Sequence, residues 1–106
     1  MGRDKSYFAR KKDANHIEIV DALNRAGYAA YDTHKQGFGF PDILVVGKNK
    51  LTVLFEIKLS GEKLTEQEDK FRLRYAGFLH TVTSAEDAIK WMDYYSEFQL
   101  EYKNGR

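Results

Sequence analysis

The chain has 106 residues, a formal net charge of +1 and no cysteine. That length suits one domain with one core; the absent cysteines exclude disulfides and thiolate metal sites, and the near-neutral charge gives no global pull toward a polyanion. No apolar run approaches membrane-span length and the N-terminus has no apolar signal core, so an intracellular, cytoplasmic protein is expected.

Residues 2–13 hold Arg3, Lys5, Arg10, Lys11 and Lys12 against Asp4 and Asp13. Residues 1–12 read as a basic N-terminal arm, or as a terminus charged only to stay solvated. Residues 15–26 place Ile17, Val20 and Leu23, with Ile19 and Ala22 one face over, at the spacing of a helix with one side on a core. Asp13 or Asn15 can cap its start and Gly27 its end. Residues 28–33 read as a short strand, followed by a loop, HKQGFGF, with glycines at 37 and 39.

Residues 42–47 and 51–58 are the two central strands. Both faces of each carry Ile, Leu, Val or Phe, so both faces are expected to be covered. Lys48, Asn49 and Lys50 make the turn between them. A second helix is expected over 65–76, with Thr65 and Glu68 at capping-box spacing, Phe71 and Tyr75 on one side, and Gly77 ending it. A strand over 79–83 follows. Ser84 then caps a last helix whose stripe is Ala85, Ala88, Ile89, Met92 and Tyr95. The whole is one α/β domain over 13–98, in the order αβββαβα, with a small mixed sheet flanked by helices; residues 99–106 read as a polar, frayed tail.

Charge placement gives this frame a chemistry. A three-residue turn pairs Gly47 with Leu51, so Leu44 faces Leu54 and Asp42 faces Glu56, with opposed Cβ atoms about 5 Å apart. Alternation puts Lys58 on the same face. Two carboxylates so close repel each other, and burial beside Leu54 and Phe55 worsens this. A divalent cation with oxygen ligands, Mg²⁺ or Mn²⁺, is the fitting compensation. Two acids and a lysine around such an ion suit phosphodiester hydrolysis: the ion acidifies water and polarises the phosphate, and Lys58 orients water or meets developing negative charge. The plainer reading is an ion pair at strand ends.

Pro41-Asp42 followed by Glu56-Ile57-Lys58 resembles the PD-(D/E)XK nuclease motif, and the element order resembles that superfamily's restriction-endonuclease-like core. GFGFPDILV, FEIK and KLT together resemble the VRR-NUC group, particularly its small phage-type, Holliday junction resolvase-like members. The resemblance covers residues 13–92, although HTVTS at 80–84 lacks the V-R-R signature. It implies that Asp42 and Glu56 bind metal with the Ile57 carbonyl, that Lys58 is catalytic, and that Glu18 completes the site. It also implies a glutamine early in the second helix, for which Gln67 and Glu68 are both candidates. A homodimer acting on branched DNA, without a small-molecule cofactor or a membrane partner, and a phage or mobile-element origin follow from the same likeness.

Other residues are candidates for phosphate contact. Lys35 and Gln36 precede glycines that let backbone approach a phosphate. Lys11, Lys12, Lys48, Lys50 and Lys63 can meet phosphates nonspecifically, although each alone is as readily a solvated surface charge. His16 and His80 have no partner at ligand spacing along the chain. Trp91, Tyr94, Tyr95, Phe98 and Tyr102 crowd the last helix and tail, as core or as a dimer interface. The expectation is a metal-dependent, structure-selective endodeoxyribonuclease for branched DNA such as a Holliday junction. A nicking or general DNA-processing nuclease is the near alternative, and a non-catalytic DNA-binding or assembly module on the same fold is the distant one.

Overall fold

Four strands stand in the sheet in the order they have along the chain. β1 (Ala29–Asp32), β2 (Ile43–Val46) and β3 (Thr52–Ile57) form an antiparallel meander, and β4 (Phe78–Val82) adds parallel to β3. Parallel neighbours need a crossover, which α2 (Glu66–Arg74) supplies; α1 (Lys5–Arg25) precedes the sheet and α3 (Ala85–Asn104) follows it. This is a single small α/β domain in the expected order αβββαβα. The computed structural model describes residues 5–104, with side chains placed at 7 and 9–97. No helix among them is long and apolar enough to cross a membrane.

The β2–β3 hairpin has the register expected from its turn. Leu44 pairs with Leu54 and Ile43 with Phe55. The Gly47 amide donates to the Leu51 carbonyl at 2.7 Å, and Lys50 closes the turn at φ 70°. A turn ending in one left-handed residue is a common three-residue hairpin solution. β-Branched and aromatic residues fill both strands, and their alternation sorts the sheet into two faces. Ile43, Val45, Val53, Phe55, Ile57 and Val82 are fully buried in the core with Ile19 and Leu23 of α1 and Ala88 and Met92 of α3. Leu44, Leu54, Glu56, Leu79 and Thr81 lie in the alternate register, on the other face. α2 crosses there, with Phe71 packed edge-on against Phe40 at 5.2 Å.

Both terminal helices are longer than expected. Residues 5–12, read as an arm, are the first turns of α1, and residues 99–104, read as a frayed tail, extend α3; residues 1–4, 105 and 106 lie outside the described region. Neither extension contains Gly or Pro before Asn104, so nothing in the chain interrupts the helices. The phase of α1 also differs. Ile17 is 61 % exposed, and the inward stripe runs through His16, Ile19, Val20 and Leu23. α1 ends as expected at Gly27 (φ 96°), where the Tyr28 amide bonds the Leu23 carbonyl and the Gly27 amide that of Asn24. α2 stops at Arg74, two residues short of expectation, because Tyr75 turns extended.

Gly39 decides how the loop meets α2. Its φ is 81°, and a Cβ there would lie 2.3 Å from the Gln67 carbonyl oxygen. Only glycine lets the chain run this close to the helix just before Pro41 and Asp42.

Candidate active site

β2 and β3 place acidic groups where their ladder ends. Beyond the last β2–β3 pair, the Asp42 amide donates to the Phe55 carbonyl at 3.0 Å, and the Asp42 carboxylate accepts the Ile57 amide at 2.8 Å. The carboxyl of Asp42 is therefore held by the strand opposite. Glu56, only 4 % exposed, lies within hydrogen-bonding reach of Asp42, and Lys58, 3 % exposed, follows on the same face. The Lys58 ammonium is 4.0 Å from Glu56 Oε2.

α2 adds a residue that the spacing in the sequence left open between two candidates. Glu68, not Gln67, reaches the cluster: its Oε1 is 2.7 Å from Lys58 Nζ. The same carboxylate accepts the Thr65 amide at 2.8 Å while the Thr65 hydroxyl accepts the Glu68 amide, completing the expected capping box. The first turn of a helix favours negative charge, so Glu68 serves the helix and the lysine together. Gln67 is exposed, and its backbone lies against Gly39. Glu62, in the loop after β3, contributes a further contact at 3.6 Å from Lys58 and pairs with Lys12 at 3.1 Å.

Burial, then the neighbouring Asp42 and Glu68 carboxylates, push the Glu56 pKa up to about 9. Without a further cation it holds a proton at neutral pH. For Lys58, burial pulls the pKa down, but Glu68, Glu62 and Glu56 outweigh it and leave it raised, so the amine is a fixed cation. Burial acts to raise Glu68 as well, yet Lys58 and the Thr65 amide bring its pKa below the usual carboxylate range. The site sets three acids, Glu56, Glu62 and Glu68, within 4.0 Å of one ammonium, with Asp42 beside the most buried of them.

Of the remaining expected residues, Lys12 reaches this cluster through Glu62. Glu18 is exposed on α1, in a cleft with Lys11, Asn15, Leu59, Ser60 and Thr83 beyond the ends of β3 and β4. Lys12 is engaged with Glu62, and Lys63 is exposed in the following loop. Lys35 and Gln36 are exposed in a short 3₁₀ turn, His34–Gln36, that opens the glycine loop. That loop presents a residue the sequence reading did not single out. Phe38 is 89 % exposed at φ 56°, and it lines a groove with Gln67, Lys70, Phe71, Arg74 and Tyr75. An aromatic between two glycines was the available signal.

The α3 aromatics are mostly spent inside the chain. Trp91 stacks on His80 with centroids 3.6 Å apart, and His80 Nε2 lies 2.6 Å from the Tyr95 hydroxyl. Tyr94 is exposed, while the side chains of Phe98 and Tyr102 lie outside the described residues.

Asp42 and Glu56 fit a hard divalent cation by chemistry: both offer carboxylate oxygen, and the two lie within hydrogen-bonding reach of each other. Compared with known proteins, the chain matches no family model, no curated protein and no solved structure.

Proposed function

We propose that this protein is a divalent-metal-dependent endodeoxyribonuclease, selective for branched DNA and acting as a homodimer in the cytoplasm. The observation that carries the reading is the convergence of Asp42, Glu56 and Lys58 on one sheet face, with the buried Glu56 pushed to about 9 by its acidic neighbours. A fold gains nothing from repulsive carboxylates it must protonate, whereas a metal site needs them.

Asp42 and Glu56, with the Ile57 carbonyl, would hold Mg²⁺ or Mn²⁺, and the ion when bound would supply Lewis acidity toward water and phosphate. The chain's own groups do the rest. The Ile57 amide fixes the Asp42 carboxylate, so one ligand is oriented before any ion arrives. Glu56 would bind such an ion as the carboxylate, giving up the proton that its raised pKa favours. Lys58, permanently charged and clamped by Glu68, stabilises negative charge on the phosphate or orients the attacking water; its raised pKa makes it a poor base. Phe38, Lys70 and Arg74 give DNA an exposed aromatic and two cations in one groove, with Lys35 earlier in the same loop, suited to stacking an unpaired base and tracking a backbone. No part of this surface requires a particular sequence, which favours recognition of DNA shape.

A labelled four-way junction and its matched linear duplex, incubated with Mg²⁺, Mn²⁺ or EDTA, test the reading. Wild type is expected to cut the junction in a metal-dependent, paired fashion, and Asp42→Ala to reduce the rate by at least about a thousandfold. Equal cutting of both substrates would remove the structure selectivity and leave a general DNA-processing nuclease. Junction binding without cutting under any metal would replace the enzyme with a DNA-binding module.

A further inference from the structure

The opposite face of the sheet carries a second group of ligating atoms. Asp32 ends β1, and Thr33 joins it to His34 at the start of the glycine loop. His16 reaches the same point from the inward stripe of α1. One ligating atom from each of the three residues lies within 4.8 Å of the others. His16 Nε2 is 3.3 Å from Asp32 Oδ1, and His34 Nδ1 is 2.5 Å from the same oxygen.

Two features separate this group from an ordinary surface ion pair. His16 is only 12 % exposed at its side chain, and its Nε2 is buried without a hydrogen-bond partner, because the approach to Asp32 is close but misaligned. A buried imidazole nitrogen left unpaired costs stability, and this nitrogen lies 3.3 Å from the carboxylate oxygen that His34 also meets. The ring of His34 stands edge-on to that of His16 with centroids 5.2 Å apart, so the two imidazoles converge without stacking. Asp32 is also held by backbone: its Oδ1 accepts the amide of His34, two residues on, at 3.0 Å.

We propose that His16, Asp32 and His34 form a transition-metal site of the zinc class, separate from the Asp42–Glu56 pair. Two imidazoles and one carboxylate suit borderline Zn²⁺ and disfavour Mg²⁺. Metal–ligand bonds of about 2.0–2.1 Å in a tetrahedron set ligand atoms roughly 3.3 Å apart, the spacing of His16 Nε2 and Asp32 Oδ1. His34, exposed at the loop start, opens by under about 1 Å to trade its hydrogen bond for a metal bond. Asp32 and His34 face solvent, which leaves a fourth position for water. The site ties α1 to the turn that leads to Asp42: the Thr33 amide bonds the Asp42 carbonyl at 2.8 Å, and the Thr33 hydroxyl bonds that of Pro41 at 2.8 Å. A bound ion would thus stiffen the loop that presents Phe38.

The test is calorimetric titration of EDTA-treated, dialysed protein with Zn²⁺ alone, near neutral pH, with Mg²⁺ as the control. The Asp42→Asn/Glu56→Gln double variant is expected to take up one Zn²⁺ per chain and no Mg²⁺, wild type at least that one Zn²⁺, and Co²⁺ is expected to give the visible absorption of a low-coordinate site in both. His34→Ala changes an exposed residue and leaves the core intact. It should weaken uptake by more than about tenfold, since outer partners of a metal site alone are worth that much; His16→Asn should do the same in whatever fraction folds. Equal uptake by His34→Ala, uptake abolished by the double variant, or no uptake by wild type would each overturn the proposal. None of these outcomes depends on DNA cleavage, so the site stands or falls apart from the nuclease reading.

Discussion

Lys58→Met is expected to slow DNA cleavage by about a hundred- to a thousandfold, the usual worth of one preorganised charge at a reacting centre, and to lower the unfolding free energy by about 3 kcal/mol. The stability loss follows from what the ammonium holds. Lys58 is 3 % exposed and lies 2.7 Å from Glu68, 3.6 Å from Glu62 and 4.0 Å from Glu56. Removing one partner of a buried pair costs roughly 3–5 kcal/mol because the other charge stays behind; the partial exposure of Glu62 and Glu68 places this case at the low end. Methionine keeps the volume, so the loss reports charge and not packing. Lys58→Arg keeps the charge, but a planar fork does not fit a position shaped for a point charge, and it should recover stability more than rate. Single-turnover cleavage and urea unfolding measure the two effects. Wild-type rates in Lys58→Met would remove the lysine from the mechanism.

Glu56→Gln is expected to abolish metal-dependent cleavage and yet to make the metal-free protein more stable at alkaline pH. The folded chain holds a proton on Glu56 up to a pKa of about 9, while the unfolded chain releases it near the ordinary 4.5. Between these values the folded state binds more protons, so stability falls as pH rises. The contribution is complete below 4.5 and is lost as pH climbs through about 9. Glu62 and Glu68 act in the opposite direction: their lowered pKa values stabilise the fold above the usual carboxylate range and fail on acidification below it. Glutamine cannot ionise, so the variant should lose the alkaline decline and keep the acid one. It should also lose any gain in melting temperature from Mn²⁺. In wild type, binding Mn²⁺ within this window should release about one proton, read by calorimetry in buffers of different ionisation enthalpy. An alkaline limb unchanged in Glu56→Gln would mean that another group sets it.

The part of this site built by local rules was legible in the sequence. A three-residue turn and strict alternation of side chains sufficed to set the register as far as Ile43 and Phe55 and to bring Glu56 and Lys58 to one face, because hairpin register is a short-range property; beyond that pair the Asp42 amide bonds Phe55, and its carboxyl still meets Glu56. The capping pair Thr65–Glu68 was legible for the same reason. What Glu68 does for Lys58 was not, since nothing in the spacing fixes how α2 lies across the sheet. The lengths of α1 and α3 were hidden because a charged run has similar composition whether helical or solvated. The phase of α1 was misread at Ile17 because three apolar residues fit more than one stripe; the inward position belongs to His16, and with that error the trio with Asp32 and His34 went unseen. Glu18, implied by likeness, lines a cleft with Lys11 and Asn15, and Lys12, read as a free phosphate contact, is paired with Glu62.

The ring of His80 lies nearly parallel to that of Trp91, 14° apart, on the sheet face away from the carboxylates. Trp91 is the chain's only tryptophan. The molecule thus carries a single indole fluorophore, which can be excited apart from the tyrosines and whose surroundings are set by the joint between β4 and α3. Its emission registers whether that joint is intact, and it does so from the far side of the sheet from Asp42, Glu56 and Lys58. A substitution that alters chemistry and one that loosens the fold can therefore be told apart optically, in unlabelled protein, before any substrate is added.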